Sequence, residues 1–425
     1  MVEVTIHEVS EVSREVEVLA NADELRPHFE KAYRDYRPKV EIKGFRKGKA
    51  PLDLVKKLYG EVIEHESLDT IASELYRQIV RERELKPIGE PVIVDMDYKR
   101  GEQFRFKVRY DIRPKIQLKD YKGIQVEKPI YTVTDQDVEN ELLRLRRMNS
   151  NTQEAQSVTD LEHVVTLDLQ DVDKSGMPII GKKSENVRFY LADPQLEEPF
   201  RNALKSAEVG GEYRVEFEHE HGDHKHEVNA VLKVKKIDKV VLPELTDEFV
   251  QKITKEKIKT VEELKARIRE DLVEYWNERS RRQVVNAVVA DIIRRHDFQV
   301  PDSLVRSVLE GLIEDIKNQS KDKRLPENFD VEKFIQENRA YAVYQSKWAL
   351  LREEIISAEG MTVDEEELEA LAEAESEKIG IEKERLKNYY RNSEQIKDRL
   401  LGEKLIAFLI KHAKIKEVPA TPTAD

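Results

Sequence analysis

Apolar residues recur along this chain with two periods, and the changes from one to the other divide it. Val2, Val4 and Ile6, then Val16 and Val18, alternate with polar neighbours and predict two strands with one covered face each. Over residues 21–38 the spacing lengthens to four, through Leu25, Phe29 and Tyr33, and predicts a helix. A second helix follows Pro51, with Leu54, Leu58, Ile63, Leu68, Ile71, Leu75 and Ile79 as its apolar set, and Pro87 stops it. The clearest alternation is Val92, Val94, Met96 and Tyr98, then Phe104, Phe106, Val108, Tyr110 and Ile112, around a hairpin turn at residues 99–102. Residues 1–114 thus form one α+β domain.

Residues 115–150 hold an extended stretch and a helix that packs with the C-terminal part, started by a capping box from Thr134 to Asp137. The polar run 149–157 is expected to be a linker. Alternation then returns at Val165, Leu167 and Leu169; at Val187, Phe189 and Leu191; at Tyr213, Val215 and Phe217; and at Val228, Ala230, Leu232 and Val234. One short helix fits residues 197–205. Residues 151–242 are therefore an antiparallel β domain with a single helix.

Nearly everything in 243–418 has helical period, with capping boxes expected at Thr260/Glu263 and Thr362/Glu365 and bends or helix ends near Gly311 and Gly360. The tail, 419–425, is expected to be disordered. The fold class is multidomain α+β with a large all-α C-terminal domain.

Composition narrows the chemistry. Charged residues make up 37% of the 425 and hydrophobic ones 39%, so surface is large relative to core. With no cysteine, disulfides, thiolate metal sites and a cysteine nucleophile are all excluded. No apolar run is long enough for a signal peptide or a membrane span, so a cytoplasmic protein without membrane contact is expected. Walker and dinucleotide glycine patterns are missing, and no general acid or base, cofactor or metal is assigned.

Charge then singles out one stretch. The whole chain carries −13, yet residues 37–57 hold eight cations against Glu41 and Asp53, a local +6. At its centre residues 42–51 read Ile-Lys-Gly-Phe-Arg-Lys-Gly-Lys-Ala-Pro. Gly44 and Gly48 free the backbone at both ends of a short tip, and Pro51 suits a helix start. Arg46, Lys47 and Lys49 could meet phosphates, and Phe45 could stack on a base or fill an apolar pocket on a protein. The plainer alternative is a solvated loop whose Phe45 folds back onto its own domain.

Gly44, Phe45, Arg46, Lys47, Gly48, Lys49, Ala50 and Pro51, in that order, closely resemble the ribosome-docking signature of the trigger factor family of bacterial chaperones. The resemblance implies that the loop touches ribosomal RNA and a large-subunit protein beside the exit tunnel, with Phe45, Arg46 and Lys47 as central contacts. It also implies an ATP-independent chaperone, cytoplasmic and partly ribosome-bound, whose helical arms form a cradle holding nascent or unfolded polypeptides. A homodimer off the ribosome stays open.

The strand order of residues 151–242 resembles the FK506-binding-protein type of prolyl isomerase, the family's middle domain. Such an enzyme needs no nucleophile or metal, because the barrier of about 20 kcal/mol is amide resonance lost on twisting. Apolar walls suffice, and in the related isomerases they are mostly aromatic. Here the matching positions fall at Leu169, Ile179, Phe189, Glu197, Phe200 and Ala230. So few aromatics predict weak or absent isomerisation. In the same domain His219, His221, His224 and His226 could bind zinc or nickel around a turn, against a plain reading as solvated histidines.

Eleven aromatics lie in the helical part: Tyr275, Trp276, Phe298, Phe329, Phe334, Tyr341, Tyr344, Trp348, Tyr389, Tyr390 and Phe408. About two-thirds are expected in cores. Two alternatives to the chaperone remain, an isomerase as the main activity and a helical scaffold that uses the basic loop to hold unrelated RNA.

Overall fold

A computed structural model of the chain describes residues 2–221 and 224–420. The fold divides into two compact units, one of residues 1–128 with 282–416 and one of 129–281 with 417–425.

In the first unit, strands β1 (Glu3–Glu8), β2 (Ser13–Asn21), β3 (Ile88–Lys99) and β4 (Gln103–Asp111) form an antiparallel sheet in the order β1-β2-β4-β3. Helices α1 (Ala22–Tyr36) and α2 (Leu52–Glu82) cover one face. α1 starts where Asn21 accepts from the Asp23 and Glu24 amides while Glu24 returns a bond to the Asn21 N–H, a reciprocal cap. The core interleaves Val16, Val18, Phe104, Phe106 and Val108 from the strands with Leu25, Leu68, Ile71, Leu75 and Ile79 from the helices.

Two parts of the expected apolar faces lie elsewhere. Leu58 is 55% exposed, because Val55 and Ile63 take the inward positions of that part of α2. The row Val92, Val94 and Met96 is also exposed. Irregularities in the β3–β4 pairing between Ile88 and Val92 and between Ile93 and Asp95 break the alternation, so Ile93, opposite Val108, packs on the core instead.

A buried carboxylate ties this domain together. Glu64 on α2 is only 6% exposed. It accepts from the Tyr33 hydroxyl of α1, from the Tyr98 hydroxyl of β3 at 2.7 Å, and from Arg100 Nε in the following turn at 2.9 Å. Burial pushes its pKa up, but the bonds from Tyr33, Arg100 and Tyr98 outweigh that and hold it below the ordinary carboxylate value.

The helical part of this unit comprises the end of α6 (Val261–Arg295), α7 (Asp302–Gln319), α8 (Val331–Ala358), α9 (Glu365–Ile379), α10 (Lys383–Asn392) and α11 (Glu394–His412). Its main core joins Val288, Ile292, Leu351, Ile355, Leu405 and Leu409 to Ile124 and Val126 from the extended stretch. Buried His296 fastens that stretch: Nε2 accepts the Lys119 amide at 2.8 Å and Nδ1 faces the Ile292 carbonyl at 2.7 Å. β5 (Gln125–Tyr131) pairs with β11 (Lys414–Ala420), so residues 419 and 420 are strand rather than disordered tail, and 421–425 lie outside the described residues.

The second unit holds α3 (Asp135–Met148), started by the expected Thr134/Asp137 capping box. It also holds a sheet of β6 (Asn151–Ala155), β7 (His163–Val172), β8 (Pro178–Tyr190), β9 (Glu212–His221) and β10 (His224–Val241). The order is β6-β10-β7-β8, with β9 on β10, and α4 (Glu198–Leu204) packs against it through Phe200 and Leu204. Most of the expected linker is therefore strand: β6 runs antiparallel to β10 from Ile237 opposite Ala155 to Val241 opposite Asn151. A smaller core joins Val138 and Leu142 of α3 to Val250 of α5 (Asp247–Thr254) and to Leu264 and Ile268 of α6.

Three local expectations for the helices change. α9 is capped by Asp364 with Glu367, two residues beyond Thr362/Glu365, and the Thr362 carbonyl instead accepts from Lys404. Gly360 follows the end of α8 at φ +61, whereas Gly311 lies inside α7 with its Cβ position open. Of the eleven aromatics only Tyr390 is buried; Tyr275, Tyr341 and Tyr389 are exposed and the other seven half-buried. Four of the half-buried ones, Phe298, Tyr344, Trp348 and Phe408, pack against the main helical core from its margin.

Replacing Glu64 by Gln weakens three bonds at once and is expected to cost about 2 kcal/mol. Hydrogen exchange of the 98–104 amides in urea should show the shift. Because the folded pKa is depressed, the contribution of Glu64 is present above the ordinary carboxylate value and is lost as pH falls through the folded one. The difference between parent and Glu64→Gln should accordingly shrink in acid.

Candidate functional site

The basic stretch is the connection between α1 and α2. A short 3₁₀ turn, Arg37–Lys39, ends α1, and two tight turns follow: Phe45 N–H donates to the Ile42 carbonyl at 3.0 Å and Lys49 N–H to the Arg46 carbonyl at 2.9 Å. α2 then grows directly from the loop, with the Leu54 and Val55 amides donating to the Pro51 carbonyl at 3.1 and 3.2 Å. Both ends of the loop are anchored, since Val40 and Ala50 are buried with Tyr33, Val55 and Ile63 in a small core of their own.

Between those anchors the tip faces solvent. Lys43, Gly44, Phe45, Arg46, Lys47 and Lys49 are all exposed, Phe45 at 45%, so the ring does not fold back into its own domain. Lys47 lies 3.9 Å from Glu41, whereas Lys43, Arg46 and Lys49 have no carboxylate at ion-pair distance among the described residues. Cations left unneutralised beside an exposed ring are what contact with a polyanion requires. Tyr33 links this loop to the Glu64 cluster, because it packs in the loop's core and donates to Glu64. The periodicity gave no sign of that support, since a buried glutamate looks like any solvated one on a helix.

The two glycines act differently. Gly44 at φ +92 has open space where a Cβ would stand, while Gly48 at φ +75 would place one 3.1 Å from Pro38 Cα. Gly48 therefore permits the close return of the loop onto the end of α1.

In the middle domain the pocket positions are only partly gathered. Phe189 and Phe200 have ring centroids 5.1 Å apart, and Phe217, which the pocket reading missed although its place in the alternation was visible, adds an edge contact to Phe200 at 5.3 Å. Leu169 packs on the same core and Ala230 is fully buried, too small to form a wall. Ile179 is 37% exposed on β8, and Glu197 stands at the N-cap of α4. Asp168 is engaged by Lys235 at 2.6 Å, the main reason its carboxyl titrates below the usual range. The side chains of His219, His221, His224 and His226 lie outside the described residues; among those described, no three His, Asp or Glu residues converge on a metal position.

Gly48→Ala should disturb the loop more than Gly44→Ala, by about 1 kcal/mol. Hydrogen exchange over residues 40–51 measures it, with protection falling further in the Gly48 variant.

Comparison with known proteins places this geometry in context. The family model described as bacterial trigger factor protein matches residues 2–145, and that for the trigger factor C-terminus matches 260–411. The trigger factor of Salinibacter ruber is 31% identical, covering 95% of this chain and 92% of its own length. That of Chloroherpeton thalassium is 30% identical with 98% of each covered, and that of Prosthecochloris aestuarii is 29% identical with 95% of each. A solved trigger factor chaperone aligns over 96% of this chain at TM-score 0.49 and 20% identity, a loose likeness. The resemblance carried by residues 44–51 extends over nearly the whole sequence, and the chain belongs to the trigger factor family.

Proposed function

We propose that the protein is an ATP-independent chaperone that docks through residues 44–51 on the large ribosomal subunit and holds nascent polypeptides while they fold. Membership of the family brings ribosome and nascent-chain binding. The finer assignment is that Phe45, Arg46, Lys47 and Lys49, set by Gly44, Gly48 and Pro51, meet ribosomal RNA and a protein at the tunnel exit. The observation that carries it is the exposed tip of the loop, basic and aromatic, mounted on a buried core. Family membership implies a cytoplasmic location, and no helix among the described residues is long and apolar enough to cross a membrane.

Residues 1–114 serve as the docking domain, 115–150 as a connector, 151–242 as the isomerase-like domain and 243–418 as the client-holding part. Exposed Tyr275, Tyr341 and Tyr389 support the last role, being separate apolar points rather than one aggregating patch. A homodimer off the ribosome is compatible with this division. The isomerase reading draws support from the Phe189/Phe200 pair and is opposed by Ile179, Glu197 and Ala230 at wall positions. Turnover of a proline peptide by the full chain should be far below that of an aromatic-walled FK506-binding protein, and equal turnover would reverse this.

Co-sedimentation with 50S subunits over a range of salt tests the docking. The triple variant Phe45→Ala/Arg46→Ala/Lys47→Ala should bind about 100-fold more weakly, with a salt slope shallower by about 1.5 to 2 for the two lost cations. Parental affinity in that variant would remove the docking assignment.

A further inference from the structure

α2 carries an apolar row that no core uses. Leu54, Leu58 and Val62 follow one another at spacing four and so share one side of the helix. Leu54 is half-buried, but Leu58 is 55% and Val62 50% exposed, on the side away from the inward residues Val55, Ile63 and Glu64. Each exposed apolar residue alone would be ordinary; two in register, on the first turns of the helix that grows out of the basic loop, are not. The row begins three residues beyond Pro51, and the Leu54 amide is itself bonded to the Pro51 carbonyl.

We infer that Leu58 and Val62 extend the docking surface from the loop tip along α2 and rest on an apolar patch of a large-subunit protein. This rests on the docking reading above. Leucine and valine offer nothing to a phosphate and have no flat face to stack on a base, so their partner is protein rather than RNA. Continuity with the loop selects the same docked partner over a client chain or a second copy. The loop and the helix then divide the labour: Arg46 and Lys49 supply the salt-sensitive attraction, and Leu58 with Val62 supply contact that salt does not screen.

Leu58→Ser/Val62→Ser tests this, and its exposed positions leave the fold intact, checked by unchanged thermal unfolding. Against 50S subunits the variant should bind roughly tenfold more weakly, the value of covering two half-exposed aliphatic side chains, with the parental salt slope. Parental affinity, or a loss accompanied by a shallower slope, would overturn the inference. So would parental 50S binding with loss of concentration-dependent self-association in sedimentation velocity, which would assign the row to contact between copies. Should Phe45→Ala/Arg46→Ala/Lys47→Ala keep parental affinity, the docking reading itself fails. Loss in that triple variant with parental binding by Leu58→Ser/Val62→Ser removes only the present extension.

Discussion

The N-terminal domain depends on a single carboxylate taken out of water. Glu64 would be strongly unfavourable there alone, and its burial is tolerated because two phenols and a guanidinium converge on its two oxygens. Each donor comes from a different place in the sequence, α1, β3 and the turn after β3, so the cluster fixes helices and sheet to one another with directional bonds. Apolar packing in the core beneath could tolerate small sliding; hydrogen bonds to one charged group do not. The loop between α1 and α2 inherits that rigidity through Tyr33, which lets the fifteen-residue connection 37–51 present its charges from a fixed base.

Much of this architecture was visible in the order of residues. The alternation of Phe104, Phe106, Val108 and Tyr110 reported the central strand faithfully, since β4 is flanked on both sides and a helix layer covers one face. The same rule misled at Val92, Val94 and Met96, where β3 is the edge and an irregular register turns alternate residues away from the expected face. Leu58 misled for a related reason: near the start of α2 the helix is wetter than further along, and an apolar residue there need not face inward. β6 was hidden by its polarity, because a strand added to an edge is held by its backbone and leaves no apolar signature.

The basic loop was legible because its signal is chemical rather than conformational. Charge opposed to that of the whole chain, two glycines and a single ring stand out without any knowledge of packing. The middle domain is the reverse case. Four of its five strands are written in alternation, while the wall of a pocket depends on which side chains meet across them, and Phe217 joined Phe200 only through contact in space. Alternation along a strand reports the fold, and contact across strands decides which rings meet.

The irregular pairing of β3 has a consequence for a protein whose clients are sticky, unfinished chains. An edge strand that displays valines and a methionine is the kind of template on which extended segments add and then polymerise, and α7 covers only part of this one, where Ser303 donates to the Ile88 carbonyl. Two breaks in its register deny such a segment the continuous ladder of hydrogen bonds it would need. For a chaperone whose clients are unfolded, an edge that resists strand addition lowers the risk that contact turns into co-aggregation.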